Sequence, residues 1–86
     1  MAVISLDYDR TYTADPELWD AFIALAQSRG HTLICITMRT NPFAFSIPVY
    51  CTAGIAKVPW AEQHGIKVDI WIDDQPWRLI ENALSN

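Results

Sequence analysis

The sequence predicts an α/β domain in which a parallel β-sheet is covered by helices on both faces. Apolar runs at residues 2–6 and 32–37 lack polar alternation, which is typical of strands buried on both sides. A helical segment separates the first two runs, and the order strand, helix, strand indicates a right-handed parallel crossover. We expect one domain over residues 1–86, because a chain of this length cannot hold a second.

The composition argues for a compact globular protein and against a nonspecific nucleic-acid-binding or membrane-spanning one. Hydrophobic residues make up 51% of the sequence, so a compact core is expected, and the net charge of −4 argues against nonspecific nucleic-acid binding. No apolar run reaches the roughly 20 residues that span a bilayer, and the N-terminus lacks the basic region of a signal peptide. Cys35 and Cys51 lie inside apolar runs, where free thiols are common. We expect a soluble, cytoplasmic protein without a disulfide and without a membrane partner.

The first strand ends in two acidic residues, Asp7 and Asp9. Open α/β sheets bind ligands beyond the carboxyl ends of their strands. Two carboxylates this close repel each other unless a cation or a shared proton intervenes, and a hard divalent cation is the simplest partner. The alternative is that the two residues only form a turn and a cap, because Asp is common in both.

A helix is predicted from Pro16 to about Arg29. Asp15 is a suitable N-cap, Pro16 suits the first helical position, and Gly30 favours termination. The apolar residues at helical spacing predict the face that packs on the sheet. They are Leu18, Phe22, Leu25 and Ala26, with Trp19 and Ile23 at the margin.

The remaining strands can be placed in the same way. The second strand, residues 32–37, ends at Thr37, and the third, residues 47–52, belongs at a sheet edge because Pro48 lacks a backbone donor. The fourth strand starts at Val68 and ends in Asp73 and Asp74. The predicted strand order is 3-2-1-4, with the first strand in the centre.

Two further helices are predicted. A short helix begins at Pro59 and runs to His64, with Lys57 just before it, and a last helix opens at Pro76. The last helix would present Trp77, Ile80 and Leu84 on one face.

Four strand ends would thus bring polar residues to one edge of the sheet. The first motif, Asp7-Tyr-Asp9-Arg-Thr11, follows an apolar strand and resembles the DxDxT motif of the haloacid dehalogenase (HAD) superfamily of phosphohydrolases. Thr37, Lys57 and the pair Asp73-Asp74 match the other HAD motifs in order, so the resemblance covers nearly the whole chain. Lys67 is the weaker choice for the lysine, because it would lie at the amino end of the fourth strand.

The resemblance implies a Mg²⁺-dependent phosphatase on a three-layer, Rossmann-like core. It implies that Asp7 is the nucleophile, that Asp9 is the general acid and base, and that Thr37 and Lys57 contact the phosphoryl group. It also implies that Mg²⁺ is bound by Asp7, the Asp9 backbone carbonyl and Asp73, with Asp74 as a ligand or behind one. Thr11 is expected to bind substrate, with Arg10 and Arg39 at the rim as phosphate contacts.

HAD enzymes usually carry a cap domain, and neither gap in this sequence can hold one. We therefore expect a small, capless member of bacterial or phage type. Phe43, Phe45 and Trp60 beside the site either pack on their own core or form a surface that a macromolecular phosphorylated substrate or a second copy covers. Two other functions stay open, namely an inactive HAD-like binding scaffold and a phospho-accepting receiver module.

Overall fold

The computed structural model describes residues 1–83, and the predicted residue Leu84 lies outside the described part. The strands are β1 (Val3–Leu6), β2 (Thr32–Thr37), β3 (Val49–Cys51) and β4 (Ile70–Ile72). The helices are α1 (Pro16–Ser28) and α2 (Lys57–Gln63), with 3₁₀ turns at Tyr12–Ala14 and Pro76–Leu79.

The four strands form one parallel sheet in the order β3-β2-β1-β4, which confirms the predicted order. Ser5 of β1 pairs with Ile34 of β2 on one side and with Trp71 of β4 on the other. Because β1 has a neighbour on each side, the residues that follow it lie between the ends of two strands.

Side chains alternate across the sheet and build two cores, as expected for strands buried on both faces. On one face, Leu6, Leu33 and Cys35 pack with Ile23 and Ala26 of α1. On the other face, Ile34 and Ile36 pack with Ala61 of α2. The protein therefore has three layers, with one α-helix on each side of the sheet.

Helix α1 has close to the predicted bounds, but the face that packs on the sheet is rotated toward one margin of the predicted face. Asp15 caps it, with its side chain accepting a hydrogen bond from the Leu18 backbone, and Gly30 follows with a φ of +86° that favours glycine. Leu18 and Leu25 are 55% and 56% exposed. The face toward the sheet keeps two residues of the predicted face and adds the two predicted at its margin, in the i, i+3, i+4, i+7 pattern of one helix stripe. These residues are Trp19, Phe22, Ile23 and Ala26.

Other element bounds differ from the prediction. Strand β3 is shorter and starts after Pro48, whose carbonyl still accepts a hydrogen bond from Cys35. Helix α2 starts at Lys57 and already includes it, so Pro59 occupies the first turn, where a missing amide hydrogen is tolerated. From Pro76 the chain forms a 3₁₀ helix to Leu79, and Trp77 and Ile80 are exposed. The prediction that Trp77 and Ile80 lie on the buried face of a last helix is therefore wrong.

The aromatic residues of the loop after β2 cover the protein's own core. Phe43 and Phe45 pack against the core on the α1 face, where their rings lie 4.3 and 5.2 Å from that of Tyr8. Trp60 packs on the opposite face and stacks on His64 at 3.9 Å. Phe43, Phe45 and Trp60 thus pack on the protein's own core, which is the first of the two alternatives.

The structure also allows the expectations about membrane spans and about the two cysteines to be compared with the fold. In the described part of the chain, no helix is long and apolar enough to cross a membrane. Cys35 and Cys51 are both free, and burial raises the pKa of Cys35 to about 12, so its thiolate is strongly disfavoured.

Amide hydrogen exchange should report the central position of β1. We expect the slowest exchange in residues 3–6, which are paired on both sides, and faster exchange in residues 49–51 of the edge strand β3. Exchange measured by NMR at neutral pH checks this. Slower exchange in residues 49–51 than in residues 3–6 would contradict the strand order.

Candidate functional site

A cleft of about 140 Å³ lies at the carboxyl ends of the strands. It is formed by the segments after β1, β2 and β4 together with the start of α2, which is where ligands bind in open α/β sheets. The lining residues are Asp7, Asp9, Arg10, Thr37, Met38, Arg39, Lys57, Asp73, Asp74, Gln75 and Arg78.

The centre of the cleft is a buried lysine between two aspartates. The Lys57 Nζ donates to Asp7 Oδ1 at 2.9 Å and to Asp73 Oδ2 at 2.5 Å. Asp7 is 7% exposed and Lys57 only 3%. Asp7 and Lys57, 50 positions apart, meet because β1 ends beside the start of α2. Lys67, the alternative lysine, is exposed and does not line this cleft. Buried charges of this kind need close partners, and each one here has them.

The turn after β1 brings Thr11 back to Asp7. Arg10 has a φ of +62°, a left-handed conformation that is uncommon for a residue with a side chain, and it reverses the chain within the motif. Thr11 is buried and its Oγ1 donates to Asp7 Oδ2 at 3.1 Å, while it accepts from the Asp74 backbone at 3.2 Å. Thr11 does not line the cleft. Its position fits a residue that orients Asp7 and Asp74 better than one that contacts a ligand.

The acidic residues outnumber the cation at this centre. Burial is the largest influence on the pKa of Asp7 and raises it to about 6; Asp73 and Asp74 add to the rise, and Lys57 opposes it. Burial alone would lower the pKa of Lys57, but the carboxylates of Asp7 and Asp73 outweigh it and raise this pKa. Burial and the neighbouring carboxylates thus raise the pKa of Asp7, while the carboxylates raise the pKa of Lys57 against the effect of burial.

Asp9 faces the cleft but is engaged elsewhere. Its two carboxylate oxygens accept hydrogen bonds from Arg39 Nε at 2.9 Å and Nη2 at 2.7 Å, a bidentate ion pair. The guanidinium of Arg39 also lies over the rings of Tyr8 and Phe43, at 5.3 and 5.0 Å. The hydrogen bonds from Arg39 lower the pKa of Asp9. The Asp9 side chain is therefore held apart from Asp7 and Lys57 in this state.

Thr37 ends β2 at the same cleft. It is 1% exposed, and its Oγ1 accepts a hydrogen bond from the Arg39 backbone at 3.3 Å. The hydroxyl hydrogen stays available for an acceptor in the cleft, because a hydroxyl can accept and donate at once.

Three carboxylates could bind a metal ion together. Oxygens of Asp7, Asp73 and Asp74 lie within 4.8 Å of one another, whereas the side chain of Asp9 is not in this group. Carboxylate oxygens are the ligands that Mg²⁺ prefers, and one lysine does not balance three negative charges. The donor set thus fits a hard divalent cation.

The structure adds cleft residues that the sequence did not single out. They are Met38, Gln75 and Arg78. The Gln75 backbone donates to Asp73 Oδ1 at 2.9 Å and so fixes that carboxylate. In the sequence, the only indication that these three residues line the cleft is that they follow strands that end in motif residues, and this indication is weak.

Comparisons with protein-family models, curated proteins and solved structures found no match.

Proposed function

We propose that the protein is a HAD-like phosphatase that hydrolyses phosphomonoesters through an aspartyl-phosphate intermediate. The observation that carries the proposal is the buried contact of Lys57 with both Asp7 and Asp73 at the carboxyl ends of the strands. This arrangement pairs a nucleophilic carboxylate with a fixed positive charge and a further carboxylate at the place where a phosphoryl group can approach.

In the proposed reaction, an oxygen of Asp7 forms a bond to phosphorus while the bond from phosphorus to the leaving oxygen breaks. Asp9 gives its proton to the leaving oxygen and then takes one from the water that cleaves the aspartyl phosphate. The products are an alcohol, inorganic phosphate and the free Asp7 carboxylate. Lys57 and the Thr37 hydroxyl stabilise the charge on the phosphoryl oxygens, and Thr11 keeps Asp7 oriented.

Asp9 can act in this way only after its pair with Arg39 opens and its carboxylate takes up a proton from solvent, because Arg39 lowers the pKa of Asp9. A phosphate in the cleft offers Arg39 another bidentate partner, so substrate binding would free the Asp9 carboxylate. Arg39 is therefore proposed as a phosphate contact at the rim, and Arg10, 3.7 Å from Asp74, as a second one.

Mg²⁺ is the proposed cofactor, with Asp7, Asp73 and Asp74 as the side chains that would hold it. When bound, the ion would shield the charge of Asp7 against that of the incoming phosphate. The backbone carbonyl of Asp9 remains the proposed fourth protein ligand.

The site is proposed to be capless. The segment between β1 and α1 contains only the turn at Tyr12–Ala14, and residues 52–56 connect β3 to α2 directly. An open cleft admits water, which favours substrates large enough to cover it or a second copy of the chain that does so.

Hydrolysis of a generic aryl phosphate tests the proposal. Release of phosphate should require Mg²⁺ and should stop on chelation. A purified protein that binds Mg²⁺ but turns over neither aryl phosphates, phosphopeptides nor 5′-phosphorylated oligonucleotides would overturn the enzymatic proposal.

An inactive HAD-like binding scaffold is the second candidate. The bidentate pair of Asp9 and Arg39 favours it, because a general acid held by an arginine cannot donate its proton. A receiver module has less support. Its phospho-acceptor would follow the third strand, and here Cys51 and Thr52 occupy that place.

Magnesium should stabilise the protein. Metal binding relieves the repulsion among three carboxylates, and an ion at 100 times its dissociation constant adds about 2.7 kcal/mol to the free energy of unfolding. For a domain of this size, that raises the melting temperature by about 10 °C or more. The increase should shrink as the pH falls from 7 to 5, because protonated Asp7 must lose its proton to bind metal.

Thermal unfolding with and without Mg²⁺ measures this effect. Asp73→Asn should remove most of it, and the exposed control Asp69→Asn should retain it. A full increase in Asp73→Asn would place the metal elsewhere.

A further inference from the structure

Positive side chains are concentrated in the cleft. The sequence has six Lys and Arg residues, and four of them line the cleft: Arg10, Arg39, Lys57 and Arg78. The cleft also contains four of the ten acidic residues, so the formal charges of the cleft as a whole sum to zero, although carboxylates outnumber Lys57 at its centre. Six acids and two bases lie elsewhere and account for the net charge of −4. The cleft is therefore neutral in formal charge, whereas the protein as a whole is acidic.

Arg78 differs from the other three cations in the cleft. Lys57 is paired with Asp7 and Asp73, Arg39 with Asp9, and Arg10 lies 3.7 Å from Asp74. Among residues 1–83, Arg78 forms no ion pair, and its Nη1 donates only to the backbone carbonyl of Asn82 at 2.7 Å. A guanidinium has five N–H donors in a planar fork, and the hydrogen bond to Asn82 uses one of them. Within the described part of the chain, the other donors of this cleft-lining residue can therefore serve a ligand.

We propose that Arg78 binds a second anionic group of the substrate, one that is not transferred. The inference rests on the proposed function and specifies its substrate class, which is a phosphomonoester that also carries a carboxylate or a further phosphate. The transferred phosphoryl group would lie beside Lys57, which contacts the proposed nucleophile Asp7, and beside Thr37, the last residue of β2. The second group would then lie toward the 3₁₀ helix Pro76–Leu79, which carries Arg78.

The location of Arg78 supports a specific role. Arg78 is half-buried, and its backbone N–H donates to the Gln75 carbonyl at 2.8 Å. The backbone N–H of Gln75 in turn donates to the Asp73 carboxylate, so a short hydrogen-bonded segment connects Arg78 to the centre of the cleft. Partial burial and a short connection to the reaction centre limit where the guanidinium can go. Moreover, the net charge of the protein disfavours a more negative ligand, so any preference for a second anionic group must arise locally.

Non-hydrolysable phosphonates test the inference without turnover. Three ligands of similar length are compared by calorimetry in buffer with Mg²⁺: propylphosphonate, 3-phosphonopropionate and propane-1,3-diylbisphosphonate. The first has one anionic group, the second adds a carboxylate, and the third adds a second phosphonate. We expect at least one of the two doubly functional ligands to bind about tenfold more tightly than propylphosphonate, as is typical of one charge-assisted pair. Which of them it is identifies the second group.

Arg78→Gln should reduce this preference to about twofold or less and should leave the affinity for propylphosphonate nearly unchanged. The matched control is Arg29→Gln, which removes the same charge from the exposed end of α1 and should keep the preference. Equal affinity for all three ligands in the wild-type protein would overturn the inference. So would an equal loss for all three ligands in Arg78→Gln, or the same effect in Arg29→Gln.

The result can be separated from the fate of the proposed function. A preference that depends on Arg78, together with no hydrolysis of any phosphomonoester, would refute the phosphatase and retain the two-anion site. Hydrolysis of aryl phosphates with no preference among the phosphonates would retain the phosphatase and refute the role of Arg78.

Discussion

Asp7→Asn is expected to lower the rate of aryl phosphate hydrolysis by at least about 10³-fold, because an amide cannot attack phosphorus as a carboxylate does. The change is nearly isosteric, and the amide oxygen can still accept a hydrogen bond from Lys57 or Thr11. The fold should therefore persist. Initial rates of phosphate release, measured at saturating Mg²⁺ with matched circular dichroism spectra, check the prediction.

The control for this variant is Asp20→Asn. Asp20 is an exposed acid outside the cleft whose carboxylate accepts from the Tyr12 hydroxyl, so the substitution removes the same charge at a remote place. Its rate should stay within about twofold of the wild type. Full activity in Asp7→Asn would show that Asp7 is not the nucleophile.

Lys57→Met is expected to reduce the free energy of unfolding by about 3–5 kcal/mol, the usual effect of removing one partner from a buried ion pair. The Met side chain fills a similar volume but leaves Asp7 and Asp73 facing each other without a cation. A domain of this size has only about 4–13 kcal/mol in total, so the loss is a large fraction. Urea denaturation without divalent cations measures it.

Two further variants distinguish charge from packing. Lys67→Met removes an exposed lysine and should change the stability little. Lys57→Met combined with Asp73→Asn should recover part of the loss, because one of the uncompensated buried carboxylates becomes neutral. If the double variant is no more stable than Lys57→Met, the lysine acts through its packing and not through its charge.

The strands and their order could be predicted because continuous apolar runs have few other interpretations. The β2 bounds, Thr32–Thr37, agree with the prediction, and so does the central place of β1. The same reasoning brought Asp7, Thr37 and Asp73 to one edge, since parallel strands end on the same side, whereas Lys57 is identified by the HAD resemblance and by its place before a predicted helix. Their chemical roles remain predictions.

Helix α1 shows where periodicity is insufficient. Apolar residues occupy two neighbouring stripes, one with Leu18 and Leu25 and one with Ile23 and Ala26. Only the approach of the helix to the sheet decides which stripe is buried, and that approach depends on distant residues.

Charged contacts were harder to predict than the core. The pair of Asp9 and Arg39 joins residues 30 positions apart, and its geometry has no periodic signal in the sequence. The same holds for the absence of an ion pair at Arg78 among residues 1–83. The hydrogen bonds of Thr11 with Asp7 and Asp74 were also not predictable from the sequence. Its buried hydroxyl became visible only with the left-handed turn at Arg10.

The strand order has a consequence for synthesis on the ribosome. Strand β1 is made before the other three strands of the sheet and pairs with two of them, and one of these neighbours is β4, Ile70–Ile72. A nascent chain can form β1, α1 and β2 early, but one edge of β1 stays open until residue 72 has left the exit tunnel. Asp73 and Asp74 emerge only after that, so a translating chain exposes a strand edge and has no complete cleft until its last neighbour arrives.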